Sequence, residues 1–184
     1  MHTSYAEYLA SEHASATKHE YVRGDVFAMA GGTIEHGRLQ VAMASELRAA
    51  LRGKPCSVFS GDVRIRVEAT DFSCYPDISV VCTKLQTSAI DGQAITNPKL
   101  LVEVLPDSTE GYDRGAKFAH YRRIPSLEEY VLVSQAEPLV EVYRRNERDE
   151  WTLVAEAHAG DAVELRSLAV SVRVDAVYED PLTP

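Results

Sequence analysis

Between residues 100 and 134 the sequence spells strand, helix, strand, and few folds accommodate that order with both strands buried. Leu100-Leu101-Val102-Glu103-Val104-Leu105 carries a single polar side chain, too apolar a run for a strand with one wet face. Pro106-Asp107-Ser108-Thr109 closes it and opens a helix that runs to about Arg123. That helix is acidic early (Glu110, Asp113) and basic late (Arg122, Arg123), as its macrodipole favours. Pro125 stops it, and a second β-rich run covers Glu129 to Ser134. The crossover is long enough to join parallel strands in the right-handed sense. An α/β fold follows, with a mixed (α+β) sheet flanked by helices.

The remaining segments fit around this unit. Residues 4–12 read as a short helix with Tyr5, Tyr8 and Leu9 on one side. Residues 19–22 and 26–30 read as a hairpin about Arg23-Gly24-Asp25. Thr33 is an N-cap for a helix reaching Arg52, which ends at Gly53-Lys54-Pro55. The preceding Gly31-Gly32 reads as a turn. Beyond Pro55, residues 56–59 and 63–67 are β-rich, Ile65 and Val67 alternating with Arg64 and Arg66. Residues 77–82 form another apolar strand, 83–98 a polar surface loop, and 140–144 with 151–156 a hairpin. Residues 168–178 hold several valines and few local signals.

The chain of 184 residues carries 19 Lys and Arg against 28 Asp and Glu, a formal net charge of −9. Such a balance argues against a general polyanion binder, whose phosphate affinity comes from Lys and Arg, although a local basic patch can survive it. No apolar run approaches the roughly 18 residues of a membrane span, and residues 1–12 lack a signal pattern. The expectation is a cytoplasmic protein. Cys56, Cys74 and Cys82 lack Cys-x-x-Cys spacing and read as small buried thiols.

Two acids stand where strands leave no room for charge. Asp77 opens the run Asp77-Ile78-Ser79-Val80-Val81-Cys82, and Glu103 shares a strand face with Leu101 and Leu105. A carboxylate there is costly without a cation or a set of hydrogen bonds. Two carboxylates on neighbouring strands suit a Mg²⁺-type ion, which takes oxygen ligands. Lys117 lies on the following helix with Asp113 and Tyr121 four residues to either side, one helical stripe. It either points back at Glu103 or forms an exposed pair with Asp113. His36 sits in a first helical turn and reads as a structural hydrogen-bonder, and Glu20 reads as a hairpin charge.

The order acid, acid, lysine (Asp77, Glu103, Lys117) resembles the PD-(D/E)XK nuclease superfamily, and within it the Uma-type putative restriction endonuclease family. The matching stretches are Glu20 to Asp25, Thr33 to His36, Tyr75 to Val81, Leu101 to Thr109, Asp113 through Lys117 to Tyr121, and Glu128 to Val133. The superfamily lysine follows the glutamate by two residues, where this chain has Leu105; in this family the lysine has moved to the helix, which makes Lys117 the candidate.

The resemblance implies a restriction-endonuclease-like αβββαβ core over about 33–134, whose first three strands are roughly 56–67, 77–82 and 100–105. Around it stand an N-terminal helix and hairpin (1–30) and a β-rich extension (139–178), all in one domain. It implies a Mg²⁺-dependent endonuclease, Mn²⁺ substituting, that acts on nucleic acid, above all DNA. Asp77, Glu103 and the carbonyl of Val104 would hold the metal, Lys117 would serve catalysis, and Glu20 and His36 would be auxiliary. It also implies a homodimer with no membrane association. Arg64, Arg66, Arg114, Arg122 and Arg123 are the cations expected to meet a nucleic-acid backbone. Two rival readings remain: a binding or assembly module on a nuclease fold, and a small-molecule phosphoesterase, which needs no basic groove.

Overall fold

The structure is a computed structural model and describes residues 2–29, 31–106 and 110–182. Ala30 of the expected hairpin and Asp107, Ser108 and Thr109 of the expected helix start lie outside the described residues.

Helix α1 (Tyr5–Ala14) begins at a capping box, in which Ser4 and Glu7 satisfy each other's backbone donors. The hairpin of β1 (His19–Val22) and β2 (Asp25–Ala28) turns at Arg23-Gly24, both at positive φ. Helix α2 (Ile34–Ala50) starts where Thr33 accepts from the His36 N–H. Then come β3 (Ser57–Ser60), β4 (Arg64–Val67), β5 (Phe72–Cys74), β6 (Ile78–Val81), β7 (Ala94–Ile95) and β8 (Leu100–Leu105). Helix α3 covers 110–121, and its middle, Asp113–Lys117, is π-helical. The chain ends with β9 (Glu129–Ser134), β10 (Leu139–Arg145), β11 (Trp151–His158), β12 (Ala162–Leu165), β13 (Val170–Arg173) and α4 (Val174–Tyr178).

A six-stranded sheet, ordered β11-β10-β9-β8-β6-β3, forms the centre. Strands β8 and β9 are parallel, joined across α3, and the other neighbours are antiparallel. All six residues of β8 are buried because both faces are covered. On one face Leu39, Met43 and Leu47 of α2 pack with Ile78, Val80, Leu100 and Val102, and Val163, Leu165, Val172 and Val177 extend the same core. The other face holds Leu101, Leu105 and Leu132 against α3 and a second sheet, ordered β2-β1-β5-β4-β7, which contributes Ile65, Val67 and Phe72. The α2–β3–β6–β8–α3–β9 path is the αβββαβ order, and Leu101 and Leu105 flank Glu103 on one face as strand parity requires.

Four expectations are corrected. Residues 56–67 do not make one strand's worth of core sheet: β3 pairs with β6, whereas β4 joins the second sheet through β5 and β7. The expected surface loop 83–98 contains β7, and Ser88, Asp91 and Asn97 in it are buried. Cys56 and Cys82 are disulfide-bonded to each other; only Cys74 is a buried free thiol. Arg64 and Arg66 are buried rather than turned to solvent. Arg64 grips Asp91 through Nε and Nη2 at 3.0 and 3.1 Å and donates to Tyr75 at 2.8 Å. Arg66 stacks on Tyr5, 3.8 Å above its ring, and pairs with Asp71. Their alternation with apolar residues reflects two differently filled cores, one of them aromatic and polar beneath α1.

Candidate active site

The β6–β8 register pairs Ile78 with Val102, so the next rung sets Asp77 opposite Glu103. Directly opposed residues of antiparallel strands project to the same face. The Asp77 carboxylate accepts from the Val104 N–H at 2.7 Å. The N–H and C=O of one strand residue point to the same side, so the Val104 carbonyl also faces the β6 side of β8. Two ties from α2 fix this end of β6. His36 Nε2 lies 3.2 Å from Asp77 Oδ2, and Gln40 donates to the Asp77 carbonyl at 2.9 Å. The bond to Asp77 raises the His36 pKa above its ordinary value, against the opposing effect of burial.

Lys117 enters from α3. Its Nζ stands 2.9 Å from Glu103 Oε1, 3.2 Å from Asp113 Oδ1 and 3.5 Å from Glu20 Oε1. Lys117, Asp113 and Glu103 are each only 4% exposed, so the alternative of an exposed surface pair is ruled out. The π-helical turn places Asp113 and Lys117 on the inward side together, and such turns are frequent where helices carry function. Glu20 reaches the group from β1 and accepts from Tyr112 at 2.8 Å. Tyr121 donates to Glu103 Oε1 at 2.7 Å and has Cys74 Sγ at 3.1 Å on its other side.

Carboxylates outnumber cations here. Burial pushes the Glu103 carboxyl up to about 8, against the pull of Lys117 and reinforced by Asp77 and Asp113. Burial disfavours the charge of Lys117, yet Glu103, Asp113 and Glu20 hold its pKa well above the ordinary lysine value. The ammonium therefore stays charged. The Tyr112 hydroxyl is raised by burial and by Glu20, and so stays a donor.

The all-oxygen donor set and its excess of negative charge fit a hard divalent cation. Among the described residues no cluster of three or more His, Cys, Asp or Glu has metal-holding geometry. An ion at Asp77 and Glu103 would therefore complete its shell with a backbone carbonyl and water, as Mg²⁺ commonly does.

A cleft of about 620 Å³ opens onto Asp77 and His36, walled by Lys18 and Met29 of the hairpin region, Gly31 to Thr33, Gln40 and Val41 of α2, and the Ser60–Asp62 turn. The six residues named from the sequence for the metal and its surroundings fall into two groups of contacting residues, Asp77–His36–Val104 and Glu103–Lys117–Glu20. Sequence reading missed Tyr112, which has no periodic or motif signal. It also missed the inward role of Asp113, for which the Asp113–Lys117–Tyr121 stripe was the available clue; Cys74, read as a buried thiol, is one. Of the remaining candidate cations, Arg114 is bound to Glu110 and Glu141, while Arg122 and Arg123 are exposed.

The chain is similar to known proteins over nearly its whole length. Residues 5–176 match the model of Uma2, described as a putative restriction endonuclease family. The chain is 37% identical over 172 residues to the uncharacterized protein slr1290 of Synechocystis sp., covering 94% of this chain and 89% of that one. It is 32% identical over 148 residues to sll1609 of the same organism, also uncharacterized, covering 80% and 84%. In fold it resembles a crystal structure from Anabaena variabilis, described as a putative nuclease belonging to DUF820, with a TM-score of 0.71 and 18% identity over 89% of this chain and 91% of that one. With nearly its whole length matched and a restriction-endonuclease-like core in place, the chain belongs to the Uma2 family.

Proposed function

We propose that this chain is a Mg²⁺-dependent endonuclease that hydrolyses phosphodiester bonds in nucleic acid, with DNA as its substrate. The observation that carries the reading is the buried contact between Lys117 and Glu103, with Asp77 directly across from Glu103, drawn from two strands and a crossover helix. Asp77 and Glu103, with the Val104 carbonyl, are the groups to hold Mg²⁺ or its substitute Mn²⁺. When bound there, the ion would supply Lewis acidity, able to acidify a water and to offset charge on a phosphate. Lys117 supplies the positive charge that would orient the attacking water or steady the phosphoryl oxygens. Glu20, itself fixed by Tyr112, keeps that ammonium charged and aimed. His36 holds the Asp77 carboxylate in its rotamer. The proposal includes a single-domain protein acting as a cytoplasmic homodimer.

A second reading, a non-cleaving binding module on this fold, is favoured by the internal pairing of Arg64 and Arg66, which removes two expected phosphate contacts. Incubation with supercoiled plasmid, with Mg²⁺, with Mn²⁺ or with a chelator, separates the readings. Nicking or linearisation that needs the ion and is lost in Asp77→Ala and Glu103→Ala is expected. Plasmid retarded yet uncut under every condition supports the module. Cutting by Asp77→Ala at the wild-type rate overturns the site.

A further inference from the structure

Strand β2 is an edge strand, and all four of its residues are exposed. Its side chains alternate between two faces. The register pairs Glu20 with Phe27 and Tyr21 with Val26. Phe27 therefore projects from the same face as Glu20, whose carboxylate reaches Lys117, and a cross-strand pair of this kind has Cβ atoms about 5 Å apart. Yet Glu20 is buried whereas Phe27 is 55% exposed. Met29, two residues on, falls on that face by the same alternation and walls the cleft that ends at Asp77. Its N–H donates to the Lys18 carbonyl at 2.9 Å, which prolongs the hairpin along the cleft. An apolar ridge, Phe27 then Met29, thus runs beside the acidic site on the outermost strand.

We infer that this ridge receives a nucleobase of the substrate, with Phe27 stacking on a base beside the scissile phosphate. The inference rests on the endonuclease reading and adds to it a requirement for an unstacked or single-stranded nucleotide. Two features favour a base over a second copy of the chain. The ridge adjoins the groups proposed for catalysis rather than standing apart from them. It is also narrow: a whole aromatic side chain has about 150–250 Å² to bury and Phe27 is already partly covered, well short of the roughly 800 Å² per partner of a stable protein interface. A base presents a flat π-face of that smaller size, and Phe and Met are side chains that other proteins insert at base steps.

The test is equilibrium binding of a short fluorescein-labelled single-stranded oligodeoxynucleotide, with Ca²⁺ replacing Mg²⁺ to suppress cleavage. Phe27 is exposed, so Phe27→Ala is expected to keep the wild-type circular dichroism and melting curve. It should bind the strand about tenfold more weakly, the effect of losing one stacked base. Phe27→Trp should restore affinity, with indole fluorescence quenched on binding. Strands of equal charge built from abasic sugar-phosphate should bind wild type and Phe27→Ala alike. Wild-type protein that binds the oligonucleotide with an affinity insensitive to both substitutions overturns the inference and leaves the endonuclease reading intact. Failure of the wild type to bind any nucleic acid overturns both. A shift from dimer to monomer on sedimentation of Phe27→Ala, with nucleic-acid affinity unchanged, makes the ridge a contact between copies and overturns the inference.

Discussion

Lys117 and Glu103 meet in the interior with Nζ and Oε1 2.9 Å apart, and Tyr121 donates to the same carboxylate oxygen. Asp113 and Glu20 sit on the other sides of the ammonium. One lysine thus offsets several buried acids, and its removal should be felt in folding before it is felt in catalysis. Lys117→Ala is expected to cost about 3–5 kcal/mol, because it leaves uncompensated buried charge. Urea unfolding measures this. A loss under about 1 kcal/mol would mean that the pair is solvated. Lys117→Ala paired with Glu103→Gln should recover part of the loss, since the unmatched charge goes with it.

Divalent metal should raise the melting temperature. Saturation at a hundredfold over Kd contributes about 2.7 kcal/mol. The rise should vanish in Asp77→Ala and persist in His36→Ala, because His36 holds the ligand without being one in this reading. Differential scanning calorimetry with Mg²⁺ and with chelator checks both. An equal rise in wild type and Asp77→Ala would move the ion elsewhere.

Acid stability should depend on Asp91. Burial works against its charge, but bonds from Arg64, the Gln93 N–H and Tyr5 outweigh that and hold its pKa below the ordinary carboxylate value. A carboxyl depressed on folding contributes stability that is complete above its unfolded pKa of about 3.9 and is lost as pH falls through the folded value. Wild-type stability should therefore drop below about pH 4. Asp91→Asn should be less stable at neutral pH and show a shallower decline in acid. Parallel slopes for the two proteins would remove Asp91 from the account.

Glu129 should act as the latch of the C-terminal segment. It is fully buried on β9 and accepts from Arg144 Nε at 2.7 Å and from the Arg166 and Ser167 N–H groups at 3.1 Å each. Glu129→Ala breaks the ion pair with Arg144 and strands both backbone donors, a loss of about 3 kcal/mol. Hydrogen exchange should quicken first at Val163, Leu165 and Val172, with the β8 amides less affected. Uniform acceleration across both would show that the segment is not separately anchored.

The core was readable from sequence where its demands are local and severe. The run Leu100–Leu105 admits only a strand covered on both faces, and a lone Glu103 within it asks for a partner. Lys117 was less readable, because a lysine four residues from an aspartate looks the same whether the stripe faces water or the core. Arg64 and Arg66 misled for a related reason. Their alternation with Ile65 and Val67 matches a half-wet strand, yet the second face is dry and lined by Tyr5 and Tyr21, on which a guanidinium can stack. Cys56 and Cys82 lie far apart in sequence and become neighbours only through the β3–β6 pairing, which neither segment encodes alone.

The π-helical turn of α3 sets the phase of everything on either side of it. A helix that closes hydrogen bonds over five residues has accommodated one residue more than an α-helix would in the same length. Deleting one residue from within the turn, such as Gly115, would let the helix close into regular α form with its two halves still in phase. Without the wide turn, the same extra residue would rotate one half about 100° relative to the other, since 3.6 residues make a turn. Tyr112 would then swing off Glu20 while Phe118 and Tyr121 kept their seats in the core. The wide turn is thus a spacer that takes up one residue of length and lets both halves read onto the same site.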